Sequence, residues 1–381
     1  MHSWNIDMFS KIKQIKINQI ILIVIFFLFC LTLVGFFNFL VNPYNIFKSP
    51  VGKLNCYKLK TNINQYENKI LSLKFDNRKI DSVFIGNHKT AYSIDTDYFE
   101  KIAGKNCINM GFEDIHLNDY KNYIDLILKI HPEIKNIYLQ LDFTMFGYGT
   151  NSVINKFQTT NHLTIKDIYK VIFSLTCLKN SILTVFKNIF GQTDNMYWGA
   201  IPYSIKNSDN RTDKFFNSLL LNINLYKHFN YNSEKLNQIS LLKEYCDNNN
   251  IKLHLYIMPT HVMDIQLLEY SELYEQFLIW KENISFIQPF YDFQYPCEYT
   301  NENVSNIMKY FYTADIVSTN TGNMILEEIV QDDKDFGRFY INDYAEIFNS
   351  SDRSEITMLA DEYTTRTKLL NKLWQNTIVN E

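Results

Sequence analysis

The sequence predicts an α/β domain built on a parallel sheet, carried by one N-terminal transmembrane helix and interrupted by a helical insertion. Three observations carry that reading. Short apolar runs at 82–85, 107–110 and 136–143 alternate with segments of helical periodicity, the pattern of repeated strand–helix–strand units. An uncharged stretch from Ile20 to Phe37, extended by Phe39 to Val41, is long enough to cross a bilayer. The alternation of strand and helix stops near residue 147 and resumes near residue 232.

With 381 residues there is enough chain for an anchor, a substantial domain and a smaller insertion. The 29 Phe and 26 Tyr supply a large core. Acidic residues slightly outnumber basic ones, 41 to 37, for a net charge of -4, so no broad basic field invites nucleic acid. Of the six cysteines, Cys30 lies in the apolar stretch and the other five are scattered, with no CxxC or Cys/His cluster. Five thiols on one side of a membrane cannot pair completely, so buried free cysteines are expected, and no cofactor is implied.

Taken in order, residues 1–18 form a cytoplasmic N-terminus, because Lys11, Lys13 and Lys16 precede the apolar run. The span covers 19–41. A cleaved signal peptide is the alternative, but no small-x-small site follows the run. Residues 42–78 read as a connector with a helix near 63–75. The α/β domain takes 79–146 and 232–332. Its first strand, 82–85, ends at Gly86; its second ends at Gly111. A helix over 117–130 places Tyr120, Ile124, Ile127 and Leu128 on one face and stops at His131-Pro132. The third strand, 136–143, carries Asp142 at its exit. Residues 147–231 form the insertion, a cap over the sheet edge. Its 165–190 segment is apolar and helical, yet Lys166, Asp167, Lys170, Lys179 and Lys187 argue against a second span; core packing and amphipathic contact with the bilayer both remain open. Beyond it come a helix at 233–249, a strand at 252–258 closed by Pro259-Thr260-His261, a helix at 267–280, a strand at 284–290 leading to Asp292, and a helix at 323–329. Residues 333–381 read as a C-terminal extension with one or two helices between 343 and 378.

The functional edge falls at 81–100, where an apolar run stops at Gly86 and turns polar. Loops leaving the carboxyl ends of parallel strands gather ligands, and Asn87, His88, Lys89 and Thr90 are the side chains offered there. His88 is chemically suited to act as nucleophile, general base or metal ligand; the plain alternative is a polar loop residue. His261 is the best partner to converge on the same edge, with a loop-stabilising hydrogen bond as its alternative. Asp142, Asp292 and Asp315 follow strands or sit in loop turns, where a carboxylate also caps a helix, and Thr90 and Asp95 read as starting and capping the helix after the first loop. Two imidazoles and one of these carboxylates would suit zinc, but no local ligand spacing such as HExxH appears, so no metal is expected.

Five segments in order, Phe84-Ile-Gly-Asn-His-Lys-Thr90, Asn106-Cys-Ile-Asn-Met-Gly111, Tyr138-Leu-Gln-Leu-Asp-Phe143, Met258-Pro-Thr-His261 and 312–326, resemble membrane-anchored SGNH-hydrolase-like proteins of bacterial envelopes, of the D-alanyl-lipoteichoic acid and alginate-acetylation type. The resemblance implies a flavodoxin-like, three-layer domain outside the bacterial inner membrane, handling an envelope glycan or an acyl-donor membrane protein. In that family the first loop reads Gly-Ser-Ser-Arg-Thr with the second serine as nucleophile. His88 stands at that position, and Lys89 replaces the arginine. Gly86 and Asn87 then flank the substrate, and Asn109 and Gly111 match the block that lines the oxyanion hole. The family's Asp-x-x-His dyad falls on Thr313 and Ile316, with Asp315 adjacent. A serine esterase needs an oxygen nucleophile, an imidazole and a carboxylate, and losing such groups removes about 10⁴ to 10⁶ in rate. The first expectation is therefore a pseudo-hydrolase that binds an envelope glycan or surface polymer. The rivals are an acyltransferase or esterase using His88, His261 and Asp315 in a rearranged site, and a structural membrane protein that docks a partner.

Overall fold

The computed structural model describes residues 2–47, 59–61, 65–113, 115–147, 160–190, 197–198, 201–202, 210–331 and 338–340. Its centre is a six-stranded sheet. In chain order the strands are β2 (Ser82–Ile85), β3 (Cys107–Asn109), β4 (Asn136–Leu141), β7 (Lys252–Ile257), β8 (Phe290–Asp292) and β9 (Arg338–Tyr340), arranged β3-β2-β4-β7-β8-β9. The first five are parallel and β9 runs antiparallel on the edge. Every residue of β2 and β4 is buried, so the middle of the sheet is covered on both faces, as a parallel sheet requires. In-register Phe84, Tyr138 and His254 stack across β2, β4 and β7, each ring centroid 4.6 Å from the next. Because β2 has β3 on one side and β4 on the other, the strand order reverses there, and a crevice is expected outside the carboxyl ends of β2 and β4.

The helices follow the sequence pattern with some shifts. α1 (His2–Val41) is the N-terminal helix and includes an apolar stretch, Asn18–Val41, long enough to cross a membrane. α2 (Gln65–Phe75) lies in the connector. α3 (His88–Ser93) and α4 (Thr96–Ala103) follow β2, and α5 (Tyr120–Ile130) follows β3. α6 (Ile165–Ile168), a π-helical turn at 169–173, and α7 (Leu175–Phe190) make the first half of the insertion, and α8 (Arg211–Lys227) the second. α9 (Leu236–Asn248), α10 (Val262–Tyr270), α11 (Tyr274–Ile287) and α12 (Thr319–Gln331) complete the described set.

Two expectations are corrected. The single helix over 267–280 is two helices, α10 and α11, separated by Glu272 at φ 58. The strand over 284–290 is instead the last turn of α11 followed by a strand at 290–292. Phe277, Trp280, Lys281 and Ile284 are all buried at helical spacing, so the apolar run continues a period of 3.6 rather than beginning one of 2. A small antiparallel sheet, β1 (Leu59–Lys60) with β5 (Tyr197–Trp198) and β6 (Ile201–Pro202), ties the connector to the insertion and has no counterpart in the sequence reading. β9 likewise lies in a stretch read as helical extension, and the helices expected over 343–378 fall outside the described residues.

Candidate functional site

Gly86 ends β2 with no room for a side chain: a Cβ would sit 2.2 Å from Thr90 Oγ1 and 2.5 Å from Gln140 Oε1. That close approach lets Gln140, from β4, accept from the Asn87 amide at 2.8 Å and from the Thr90 hydroxyl at 3.2 Å. Asn87 caps α3 by accepting from the Lys89 amide at 2.9 Å. The chain therefore turns within one residue of the strand, and His88 opens α3 at the reversal of strand order.

His88 meets Asp315. The His88 Nε2 to Asp315 Oδ2 distance is 2.9 Å, and the imidazole remains 30% exposed. Asp315 is held from behind by the Thr313 hydroxyl, which donates to Oδ1 at 2.8 Å. Its loop is closed by the antiparallel bridge between Phe311 and Val317 and by the Tyr312 amide bonded to the Ile316 carbonyl at 2.8 Å. α12 anchors that loop: a Cβ at Gly322 would fall 1.9 Å from the Ser93 carbonyl oxygen, so only glycine lets α12 lie this close to the end of α3. Burial alone would raise the Asp315 carboxyl, but the His88 bond and charge, the Lys89 ammonium and the Thr313 hydroxyl outweigh it and hold the group well below the usual carboxylate range.

Beneath this pair lies a buried ion pair. Lys89 Nζ is 2.5 Å from Asp142 Oδ2, with both side chains 8% exposed. Burial would lower the ammonium pKa, yet Asp142, Asp315 and Asp264 together raise it, so Lys89 is a fixed positive charge. Asp142 is lowered in turn despite its burial, by Lys89 and by the amide and hydroxyl of Thr144 at 3.0 and 2.6 Å. Asp264, in the first turn of α10, joins the same cluster electrostatically. Burial, with Asp315 and Asp142 adding to it against the pull of Lys89 and Asn222, pushes its carboxyl up to about 6. Asn222 donates to it at 2.7 Å, and the buried Tyr226 hydroxyl reaches it at 3.3 Å.

The sequence candidates are therefore sorted by their partners. His88 and Asp315 come together. The His261 ring does not join them: it is fully buried between Phe215 and Phe311, Nε2 meets the Glu302 carbonyl at 2.7 Å, and Nδ1 accepts from the Met263 amide at 3.2 Å as the cap of α10. The contribution of His261 to the site is its backbone amide, which donates to the Ala314 carbonyl at 2.8 Å, beside Asp315. Asn109 gives both amide protons to the carbonyls of Thr90 and Ile94, at 2.9 and 3.0 Å, and its Oδ1 accepts from the Gly111 amide at 3.0 Å. Asn109 and Gly111 thus bind the chain to itself rather than offering oxyanion donors. Gly86 and Asn87 shape the turn, and Lys89 is turned inward to Asp142. Asp292 is completely buried against Lys281 at 2.7 Å. Among the described residues no group of three or more His, Cys, Asp or Glu side chains could hold a metal ion. Sequence reasoning missed Asp264, Asn222 and Tyr226. The spacing His261-x-x-Asp264, a cap residue followed by an acid three positions on, was the available signal.

A polar cavity of about 530 Å³ lies instead at the amino edge, between 74–79, 130–133 and 161–163. Its strongest donors are engaged within the protein: Arg78 with Asp76 and Glu100, each at 2.8 Å, and His131 with Glu133 at 2.8 Å and the Leu73 carbonyl at 2.9 Å. The carboxyl edge remains the better candidate, because its imidazole reaches solvent with one nitrogen, Nδ1, making no hydrogen bond to a described residue. No family model, curated protein or solved structure matches this chain.

Proposed function

We propose that this chain is a membrane-anchored, extracytoplasmic binding protein of the bacterial envelope, similar in architecture to SGNH hydrolases but without their serine chemistry. α1 would cross the inner membrane, with Lys11, Lys13 and Lys16 on the cytoplasmic side. The α/β domain would engage a hydroxyl-rich envelope glycan or surface polymer, or the membrane protein that supplies its acyl groups. One observation carries this reading: where the strand order reverses, the His88 imidazole that pairs with Asp315 stays 30% exposed, while the neighbouring Asn109, Lys89, Thr90 and Asn87 groups are bonded internally. With Nε2 engaged by Asp315, Nδ1 is the polar atom of the pair left for a ligand, suited to a hydrogen bond with a sugar hydroxyl. Asn109 and Gly111, the groups expected to line an oxyanion hole, are engaged within the chain, which speaks against acyl transfer.

A second reading draws on one feature of the same pair. With Nε2–H donated to Asp315, Nδ1 keeps its lone pair, and a dyad of this kind could take a proton from a hydroxyl as its oxygen attacks an acyl carbonyl. That is an esterase or acyltransferase built from His88 and Asp315 without the His261 ring. Full-length protein in nanodiscs, offered isolated envelope polysaccharide and a panel of aryl esters, separates the two. The binding role predicts saturable polysaccharide binding that His88→Ala and Asp315→Asn each weaken at least about tenfold, with no ester turnover. Turnover abolished by both substitutions would install the catalytic reading in its place. Polysaccharide binding unchanged in both variants would remove His88 and Asp315 from function.

A further inference from the structure

α7 has its polarity reversed relative to a helix of a water-soluble domain. Its buried face is Cys177, Ser181 and Thr184, all fully enclosed. Its outward face carries Leu175, Ile182, Phe186, Ile189 and Phe190, each more than half exposed, with Phe186 and Phe190 in ring contact at 4.3 Å. Small polar residues inside and large apolar ones outside is the arrangement of helices that pack in lipid, where the surrounding medium is as apolar as leucine. In water the same face would be a contiguous exposed apolar patch without compensation.

The element against which α7 packs points to the same medium. The polar face of α7 meets the end of α1: the Ser181 hydroxyl donates to Asn38 Oδ1 at 2.8 Å, and Asn38 donates to the Ile172 carbonyl at 2.7 Å. Asn180 bonds the Tyr44 hydroxyl at 2.7 Å, just past the end of the helix. Gly35 allows the approach, since a Cβ there would come within 2.6 Å of the Phe173 ring. Asn38 thereby satisfies a carbonyl where α6 gives way to a π-helical turn and an extended residue, Ser174, before α7. Gly35 and Asn38 lie about 9 and 5 Å below Val41 at 1.5 Å per residue, inside the final third of the apolar stretch. Residues 165–190 together are long and apolar enough to cross a membrane, but the break at Ser174 leaves α7 with 16 residues, about 24 Å, short of a core of about 30 Å. On its other side this region is bolted to α2 of the connector through Lys74–Asp167 at 3.1 Å and through Lys170 with Glu67, and α2 is held to the α/β domain by His131 at the Leu73 carbonyl.

Resting on the reading of α1 as a membrane span, we propose that α7 is an interfacial membrane helix. It lies in the bilayer boundary on the side of the α/β domain, with Leu175, Ile182, Phe186, Ile189 and Phe190 among the acyl chains. Lys179 and Lys187 then lie at the level of the phosphates, their stems along the apolar face. The α1–α7 contact fixes how the domain stands on the membrane, and with it the height of the His88 edge above the surface.

The test uses the intact, full-length protein in vesicles of phosphatidylethanolamine and phosphatidylglycerol doped with a phospholipid bearing a photoactivatable diazirine in its acyl chain, with labelled peptides mapped by mass spectrometry. The expected result is labelling of both 20–37 and 175–190. Labelling of α1 with none on α7 would overturn the proposal while leaving the anchor intact, and would point to a protein partner or second copy over that face. Labelling of neither would remove the anchor and the interfacial helix together. Replacing Ile182 and Phe186 by Glu, two exposed positions whose loss leaves the buried face untouched, should cut α7 labelling several-fold with α1 labelling unchanged. Undiminished labelling in that variant would also count against the proposal.

Discussion

His88 and His261 occupy equivalent places in the chain, each within a few residues of the carboxyl end of a parallel strand, and they end in opposite states. His88 follows β2, pairs with one carboxylate and keeps a nitrogen and a third of its surface toward solvent. His261 follows β7, is enclosed by Phe215 and Phe311 and has both nitrogens bonded within the protein. Residue type and strand position are shared; the neighbours differ. A strand-exit histidine is a site candidate only when its partners leave it a free nitrogen and an open side.

The sharpest way to break this contrast is to remove each ring in turn. His261→Ala deletes a buried aromatic ring and the acceptor that caps α10, and leaves the Glu302 carbonyl without its donor. Core aromatic truncations cost about 3 to 5 kcal/mol and a lost cap about 1, so the expected loss is about 4 to 6 kcal/mol in a urea or guanidinium titration. His261→Gln should recover part of it by restoring a donor. A loss under about 1 kcal/mol would show that the ring is not the packing element described.

Much of the fold was legible because the strands of the sheet centre are short, mostly apolar runs bounded by turns, and burial on both faces leaves few polar residues to blur them. The errors arose where local pattern gave no guide. Residues 284–287 are apolar enough for a strand, yet they complete the buried stripe begun by Phe277 and Trp280. β1, β5 and β6 are two residues each and join segments some 140 positions apart, beyond any periodic signal. At the site, the loop at 86–90 was visible as the polar exit of a strand and Asp315 as a polar residue of a loop. The inward turn of Lys89 and the engagement of Asn109 by the Thr90 and Ile94 carbonyls depend on tertiary contacts that sequence spacing does not encode. Asp264 was hidden for the same reason, its partners lying about 40 residues earlier on α8.

Asp264 offers the next test, because it is charged or neutral according to how completely the cluster is sealed. Its folded-state carboxyl titrates near 6, above the value of about 4 for an unfolded chain, so the folded protein binds more protons between those values. Its contribution to stability is therefore fully present below about pH 4 and is lost as pH rises through 6, up to about 3 kcal/mol at the limit of that shift. Asp264→Asn keeps an acceptor for Asn222 and cannot ionise. The variant should gain on the wild type as pH rises from 4.5 to 7.5, read as a growing difference in denaturation midpoint. A difference that stays constant with pH would mean that water reaches Asp264 and that the cluster is open.

The smallest expected effect belongs to His88. Its ion pair is partly exposed, and such pairs contribute about 1 kcal/mol or less, so His88→Ala should shift stability at neutral pH by less than about 1 kcal/mol. That loss should shrink toward acid pH. Asp315 has a depressed folded-state pKa, so its stabilising share is present at neutral pH and lost as pH falls below the ordinary aspartate range. Removing His88 takes away the largest of the influences that hold it down, and the acid transition should move to higher pH, while Lys89 and the Thr313 hydroxyl retain part of the depression. Asp315→Asn should abolish this His88-dependent shift, because the titrating group itself is gone. A loss of about 3 kcal/mol at neutral pH in His88→Ala would instead place it beside His261 as a packing residue, and the distinction between the two histidines on which the site rests would disappear.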